Sequence, residues 1–189
     1  VALVLSTQAS AGVGDITITG TTNGTTGTTA ETLTLNAGTG AISTAGIFGA
    51  GGASDATGLT TVTITNSAAA SFGAIDITGD FTQTNAATGL TTFSSTVSLG
   101  AATLVGTAYA VDSTFAATGA VAVTNSGIFT TAGAITAVGG FSTTGAATLG
   151  ANITTTNTTL SIGGNLIITD TVALVLSTQA SAGVGDITI

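Results

Sequence analysis

Hydrophobic and polar residues alternate with a period of two in short stretches along the whole chain. In Asp15–Thr19 the isoleucines and the threonines are placed to point to opposite sides, and Thr61–Thr65 repeats the scheme with Val62 and Ile64. Alternation of β-branched residues with polar ones predicts a strand that is buried on one side. No comparable stretch carries apolar residues at i, i+3 and i+4, so we predict an all-β chain with almost no helix.

The predicted strands share this alternation and are separated by segments rich in Gly, Ala, Ser and Asn. The clearest are Val1–Ser6, Asp15–Thr19, Thr32–Leu35, Thr61–Thr65, Ala74–Thr78, Thr96–Leu99, Val121–Thr124, Leu160–Ile162 and Leu166–Thr169. Two polar segments with turn signals, Gly20–Thr29 and Gly49–Gly58, are predicted to project as loops.

The first eighteen residues, Val1–Ile18, return unchanged as Val172–Ile189, an offset of 172 − 1 = 171. We therefore interpret residues 1–171 as one complete tandem repeat and residues 172–189 as the start of the next, with no separate globular domain. Weaker echoes lie inside the period: Gly100–Leu104 matches Gly145–Leu149, and Ala56–Thr61 returns as residues 87–92. Self-similarity on this scale predicts a solenoid.

Each short strand has one apolar side that it cannot bury alone, and stacking coil upon coil solves this problem. We predict a parallel β-helix with roughly 20–30 residues per coil and about six to eight coils per period. Ile, Val, Leu and Ala line the inside of such a coil. The phenylalanines are expected to fill its wider corners: Phe48, Phe72, Phe81, Phe93, Phe115, Phe129 and Phe141.

The charge pattern fits this stacking and excludes several classes of partner. The net charge is −8, every charged side chain is a carboxylate, and Lys, Arg, His and Cys are absent. Stacked coils place like residues over one another, where Thr, Ser and Asn form hydrogen bonds but charges repel. Without cations we expect no nucleic-acid binding. The longest aliphatic runs, such as Val1–Leu5, are far below the ~20 residues of a membrane helix.

Several phrases resemble the repeat regions of giant bacterial surface proteins of the filamentous-haemagglutinin type. In Gly14–Thr19 and Gly164–Thr169, Gly-Asp or Gly-Asn is followed by an aliphatic residue, any residue, a second aliphatic residue and threonine. The third phrase is Gly145–Asn152, which begins with Gly-Ala-Ala. The resemblance implies a secreted, right-handed parallel β-helix that acts as an adhesin or a surface fibre. It lends no catalytic residues, and the family's secretion domain with its Asn-Pro signatures is not in this sequence.

The sequence gives little support for catalysis, because no His, Cys or Lys is available as a base or nucleophile. The best carboxylate pair is Asp76 and Asp80, and two carboxylates are the minimum for glycoside hydrolysis. We interpret Asp76 instead as a solvated outward residue of a strand and Asp80 as a corner cap. The prediction is a protein that is not an enzyme, with no catalytic, cofactor or metal residues.

Calcium binding is a second reading of the acidic residues. The oxygen donors are Asp15, Glu31, Asp55, Asp76, Asp80, Asp112 and Asp170. The calcium-binding nonapeptide GGxGxD is absent, and Gly51–Asp55, which comes nearest, lacks its third glycine. Isolated solvated carboxylates are the favoured interpretation, and we expect no cofactor.

Two further surface chemistries are visible in the sequence. Asn23–Thr25, Asn152–Thr154 and Asn157–Thr159 match the glycosylation sequon, a pattern common in any Asn- and Thr-rich chain. The Thr-x-Thr phrases at Thr17/Thr19, Thr32/Thr34 and Thr63/Thr65 resemble ice-binding solenoids. Their intervals along the sequence are irregular, which favours strand propensity as their explanation.

These observations favour a structural repeat unit of an extracellular, cell-surface fibre of a bacterium. Its partners would be further copies of itself, along one chain and side by side. An alternative is the stalk of a filamentous adhesin that presents a distant binding tip. An alternative of another class is a solenoid that binds calcium, ice or glycan.

Overall fold

The protein is an all-β chain whose parallel strands wind into a β-solenoid. A computed structural model describes residues 1–8, 14–24, 30–49, 58–169, 173–178 and 185–189, and for residues 85–87 the backbone alone. Between residues 58 and 169, where the description is unbroken, the chain makes about six turns. No helix occurs in the described residues, as the alternation of the sequence predicted.

The strands are short, most of them three to six residues long. They are β1 (Ala2–Ser6), β2 (Ile16–Ile18), β3 (Glu31–Asn36), β4 (Ile42–Thr44), β5 (Leu59–Asn66), β6 (Ala70–Phe72), β7 (Ile75–Asp76), β8 (Phe81–Phe93), β9 (Val97–Leu99), β10 (Ala102–Val111), β11 (Phe115–Ala117), β12 (Val121–Asn125), β13 (Ile128–Thr131), β14 (Ile135–Ala137), β15 (Phe141–Thr143), β16 (Ala146–Leu149), β17 (Ile153–Thr155), β18 (Leu160–Ile162), β19 (Leu166–Ile168), β20 (Leu176–Ser177) and β21 (Ile187–Thr188).

The strands stack into three faces. The first face follows the order β1-β3-β5-β8-β10-β12-β15-β18-β21. The second runs β2-β4-β6, continues through the later halves of β8 and β10, and ends β13-β16-β19. The third runs β7-β9-β11-β14-β17-β20, preceded by the bridges that join Thr22, Phe48 and Ile75. Every pairing is parallel, so each turn visits the faces in the same sequence.

Turn length is read from residues that form hydrogen bonds across neighbouring turns. The Asn125 amide donates to the Thr144 hydroxyl, and these two residues are 19 residues apart along the chain. The Thr65 hydroxyl donates to the Leu35 carbonyl, and here the separation is 30 residues. The predicted coil length is therefore confirmed. Parts of both predicted loops, residues 25–29 and 50–57, lie outside the described residues. The right-handed winding implied by the resemblance stays a prediction.

The core is a continuous column of side chains from all three faces. Strands such as β4, β9, β11 and β14 each bury their first and third residues and expose the middle one. All seven phenylalanines are at most 2% exposed, as predicted, but they lie in the strands and bridges of the faces rather than at corners. Phe93 contacts rings on both sides, with centroids 5.7 Å from Phe72 and 5.4 Å from Phe115.

Backbone hydrogen bonds hold this column together by joining each turn to the next. The Val62 amide donates to the Asp80 carbonyl at 3.1 Å, and the Phe81 amide donates to the Ala101 carbonyl at 2.9 Å. Because these bonds run along the solenoid axis, every inner turn is held from above and from below.

Candidate functional site

The middle residues of the strands form an unbroken outward row on the first face. Consecutive members are Cα partners in the parallel register, one per turn. The row is Val4, Thr34, Thr63, Thr82, Thr103, Ala122, Ser142, Ser161 and Thr188. Hydroxyl side chains dominate it, at the strand spacing of ~4.8 Å.

The other two faces carry rows of the same kind. On the second face the row is Thr17, Ser43, Ser71, Thr92, Ala110, Thr130, Thr148 and Ile167. On the third face it is Asp76, Ser98, Ala116, Thr136, Thr154 and Ser177. The surface described by these rows is therefore uncharged apart from Asp76.

Many hydroxyl groups near these rows already donate hydrogen bonds within the solenoid. The Ser94 hydroxyl donates to the Phe72 carbonyl at 2.8 Å, and the Thr130 hydroxyl donates to the Tyr109 carbonyl at 3.1 Å. In each case the acceptor belongs to the preceding turn. The hydroxyls thus add side-chain bonds to the backbone ladder, which is one physical reason for the abundance of threonine.

Three corner side chains use an oxygen atom to bind the backbone of the next turn. Asp15 accepts a hydrogen bond from the Ala41 amide at 2.8 Å, and Asp80 accepts one from the Ala101 amide at 2.9 Å. Asn152 does the same for the Val175 amide at 2.8 Å. The corner-cap role predicted for Asp80 is confirmed.

The remaining predicted donors are spread over the solenoid. Asp76 is a half-buried outward residue of β7, Glu31 begins β3, and Asp112 is exposed after β10. Asp55 and Asp170, like the glycines before Asp55, lie outside the described residues. Among the described residues no three acidic side chains come close enough to hold a metal ion.

A buried polar cluster, which sequence reasoning missed, lies at the corner between the first and second faces. Gln83 and Thr91 are fully buried, and the side-chain amide of Gln83 is 3.2 Å from the Thr91 hydroxyl. The Tyr109 hydroxyl is buried beside Gly106 without a hydrogen-bond partner in the described structure. Burial raises the pKa of Tyr109 above its ordinary value. The signal was available: strict alternation from Phe81 places Gln83 on the inside.

One shallow groove crosses the corner that leads into the first face. It has a volume of about 410 Å³, and its lining includes Gly139, Gly140, Thr158 and Thr159. No titratable side chain lines it. The lining of the groove therefore supplies no group for acid–base chemistry.

The sequon asparagines lie at corners. Asn152 and Asn157 are both exposed, and Asn157 adopts a positive φ of 54° that asparagine tolerates better than most residues. Asn152 also caps the following turn. Asn23 is exposed, while its sequon partner Thr25 lies outside the described residues.

Two further observations concern membrane-spanning helices and similarity to known proteins. Within the described ranges, no helix is long and apolar enough to cross a lipid bilayer. No protein-family model, curated protein or solved structure matches the chain.

Proposed function

We propose that the chain is a structural repeat unit of an extracellular fibre and that it provides length, stiffness and resistance to proteolysis. The observation that carries this proposal is the repetition of one unit, buried–outward–buried, on all three faces. Because hydrogen bonds and rows both run along the axis, further turns lengthen the rod without requiring a new kind of core.

The resemblance to repeat regions of filamentous-haemagglutinin-type proteins supports a place on a bacterial surface. The composition suits that place. The chain offers no Lys or Arg to trypsin-like proteases and no Met or Cys to oxidants. Its partners would be further copies along the same chain and neighbouring fibres that pack through the hydroxyl rows.

Proteolysis with an enzyme of broad specificity tests the structural role, since trypsin would find no site in any case. Residues 58–169, which form successive turns of the solenoid, should survive under native conditions and be digested in denaturant. Rapid cleavage inside strands of this segment under native conditions would contradict the proposal.

Electron microscopy of the native material separates a fibre from a stalk. Continuous multi-chain fibres favour the structural repeat unit. Thin single rods that end in a knob favour the stalk of an adhesin, in which this segment would hold a binding tip away from the cell.

A binding function is the second candidate, and one observation favours it. On the first face a β-branched residue also stands two positions after five consecutive row members, Thr63 to Ser142, at Thr65, Thr84, Val105, Thr124 and Thr144. The irregular sequence intervals of these residues therefore do not prevent stacking in space. A flat double row of this kind suits ice or a neutral glycan surface.

Two measurements test the binding candidates. Ice binding predicts thermal hysteresis that is lost when Thr82 and Thr103 are replaced by Lys. Calcium binding predicts a lower melting temperature in chelator. A chain that shows neither effect binds neither ice nor calcium.

A further inference from the structure

We propose that consecutive copies of the repeat period join out of phase, with each copy starting two faces further round the solenoid than the copy before it. The joint is then an interface whose two partners are successive copies of the same period. This inference rests on the proposed function only in that a fibre contains more than one copy.

The first copy of the eighteen-residue segment lies on the first and second faces. Ala2–Ser6 pair with residues 32–36 on the first face, and Ile16–Ile18 pair with Ile42–Thr44 on the second. These contacts show how the upper edge of the segment is covered by the turn that follows it.

The second copy has the same sequence but lies on other faces. Leu176, the counterpart of Leu5, pairs with Ile153 on the third face. Ile187, the counterpart of Ile16, pairs with Leu160 on the first face. These contacts show how the lower edge of the segment rests on the end of the preceding period.

The described parts of the two copies share several features despite the change of face. Leu5 and Leu176 both pack against the core, and Thr17 and Thr188 both point outward. The Thr7 hydroxyl donates to the Gly14 carbonyl in the first copy, and the Thr178 hydroxyl donates to the Gly185 carbonyl at 2.8 Å in the second. The same side-chain hydrogen bond therefore forms at two different corners of the solenoid.

Other repeated phrases show that the faces are interchangeable. Gly100–Leu104 leads into the first face, whereas its echo Gly145–Leu149 forms part of the second. Ala102 and Leu104 are buried with Thr103 outward, and the counterparts Ala147 and Leu149 are buried as well. A three-residue unit fits any face because it needs only an inner, an outer and an inner position.

The register gives the size of the step. β1 is the first strand of the first face, and its copy at β20 follows seven further levels on the third face. One period thus spans seven turns and two faces, which corresponds to an axial rise on the order of 37 Å at ~4.8 Å per turn.

An in-phase joint would require a turn that is shorter than the inner turns of the solenoid. It would place Val175 directly above Ser161, a sequence offset of only 175 − 161 = 14. The offset between Val62 and its partner Phe81 on the next turn is 81 − 62 = 19. The out-of-phase joint avoids this shortening, because the chain uses the third face before it returns to the first.

Cysteine pairs in the full chain test the joint, because the chain has no cysteine of its own. Ser161→Cys with Thr188→Cys joins residues that are Cα partners in the out-of-phase register. Ser161→Cys with Val175→Cys joins the residues that an in-phase joint would stack. Ser142→Cys with Ser161→Cys is the positive control inside the solenoid. Cross-strand neighbours lie within the range that a disulfide spans.

On mild oxidation, the 161/188 and 142/161 pairs should lose their free thiols and form intramolecular disulfides, while the 161/175 pair stays reduced. Preferential or equal oxidation of the 161/175 pair would overturn the proposal. Spin labels on the same pairs give a second readout that does not depend on disulfide geometry, and a 161/175 separation shorter than 161/188 would also overturn it. Either failure would leave the fibre role standing, because that role is tested by microscopy and proteolysis.

Discussion

At the scale of single residues, the inside of the solenoid contains several buried polar side chains, and Tyr109 is the largest fully buried residue with a polar atom. Its side chain is fully buried, and its hydroxyl has no hydrogen-bond partner in the described structure. An unpaired buried hydroxyl costs roughly 1–3 kcal/mol. The Cα partners of Tyr109 in the neighbouring turns are Thr91 and Phe129.

Replacing Tyr109 by Phe should therefore raise the free energy of unfolding by about 1 kcal/mol at neutral pH. The substitution removes the hydroxyl and keeps the ring. Urea unfolding followed by far-ultraviolet circular dichroism measures the change, and a loss of stability would show that the hydroxyl is bonded, for example through water.

The same substitution should remove an alkaline transition. Burial raises the folded-state pKa of Tyr109 above the unfolded value near 10. Ionisation is therefore less favourable in the folded state, so the free energy of unfolding is unaffected by this group below about pH 10 and falls as the pH rises further. No other side chain of this sequence titrates above neutral pH, so the Phe variant should show a flat profile between pH 9 and 11, roughly the range of tyrosine ionisation.

Gly106 is required by the same tyrosine. A Cβ atom at Gly106 would lie 2.6 Å from the Tyr109 hydroxyl oxygen, whereas a Cβ at Gly20 would meet nothing within 4 Å. Gly106→Ala should destabilise the chain by roughly 1–3 kcal/mol through overpacking, and Gly20→Ala should be near neutral. Equal urea midpoints for the two variants would contradict this account. Restored stability in Gly106→Ala with Tyr109→Phe would identify the clash.

At the scale of elements, alternation predicted some of the strands that contain β-branched residues, missed others such as β4 and β14, and missed strands that have no β-branched residue. The predicted Thr61–Thr65, for example, lies inside β5, whereas β6 and β11 went unnoticed. Their three-residue sequences, Ala-Ser-Phe and Phe-Ala-Ala, are too short and too poor in valine or isoleucine to stand out. They are strands because neighbouring turns supply their hydrogen bonds, a tertiary effect that overrides propensity.

The corner caps also depend on neighbouring turns, since each cap oxygen, directly before a strand begins, accepts a hydrogen bond from a backbone amide of the next turn. Asp80→Ala should lower the free energy of unfolding by about 1 kcal/mol, because the Ala101 amide loses its acceptor. Asp80→Asn keeps an oxygen in place and should cost less. Asp112→Ala, at an exposed position, is the matched control. Equal decreases in the urea midpoint for the Asp80→Ala and Asp112→Ala variants would contradict the assignment of Asp80 as a corner cap.

Phe93 links all three faces through its ring contacts. It lies near Phe72 on the same face, Phe81 on the first and Phe115 on the third. Phe93→Ala should cost about 3–5 kcal/mol, and Thr92→Ala, one residue away and facing outward, less than about 0.5 kcal/mol. Thermal unfolding of the two variants decides the matter. A small effect at Phe93 would mean that the aromatic column can close around a missing ring.

At the scale of the whole molecule, the sequence predicted a solenoid but not the continuity of its rows. Irregular intervals between Thr-x-Thr phrases argued against a regular array. In the structure, shorter and longer turns coexist, and the stacking register is kept from one turn to the next. The stacking register keeps Thr34, Thr63 and Thr82 in line although their offsets along the chain, 63 − 34 = 29 and 82 − 63 = 19, are unequal. Sequence spacing therefore does not reveal this register, because turns of unequal length place their row members in line.

Uncharged rows on a rod with a net charge of −8 predict association that depends on pH. Lowering the pH to the isoelectric point near 4.1 removes the repulsion between neighbouring rods, so they should pack side by side. Small-angle scattering should show a thicker cross-section at unchanged length. Salt at pH 7, which shortens the screening length to below ~8 Å, should produce part of the same effect. Rods that stay separate at the isoelectric point would contradict a role for the rows in lateral packing.

The direction of the backbone hydrogen bonds has a mechanical consequence. A pull on the two ends of the solenoid loads the ladder at its outermost turn, and that turn can detach before the next one is strained. Each detached turn of about 20 residues frees roughly 65–70 Å of chain at full extension. A fibre built in this way is stiff against bending, yet under tension it lengthens in steps and dissipates the load as it unwinds.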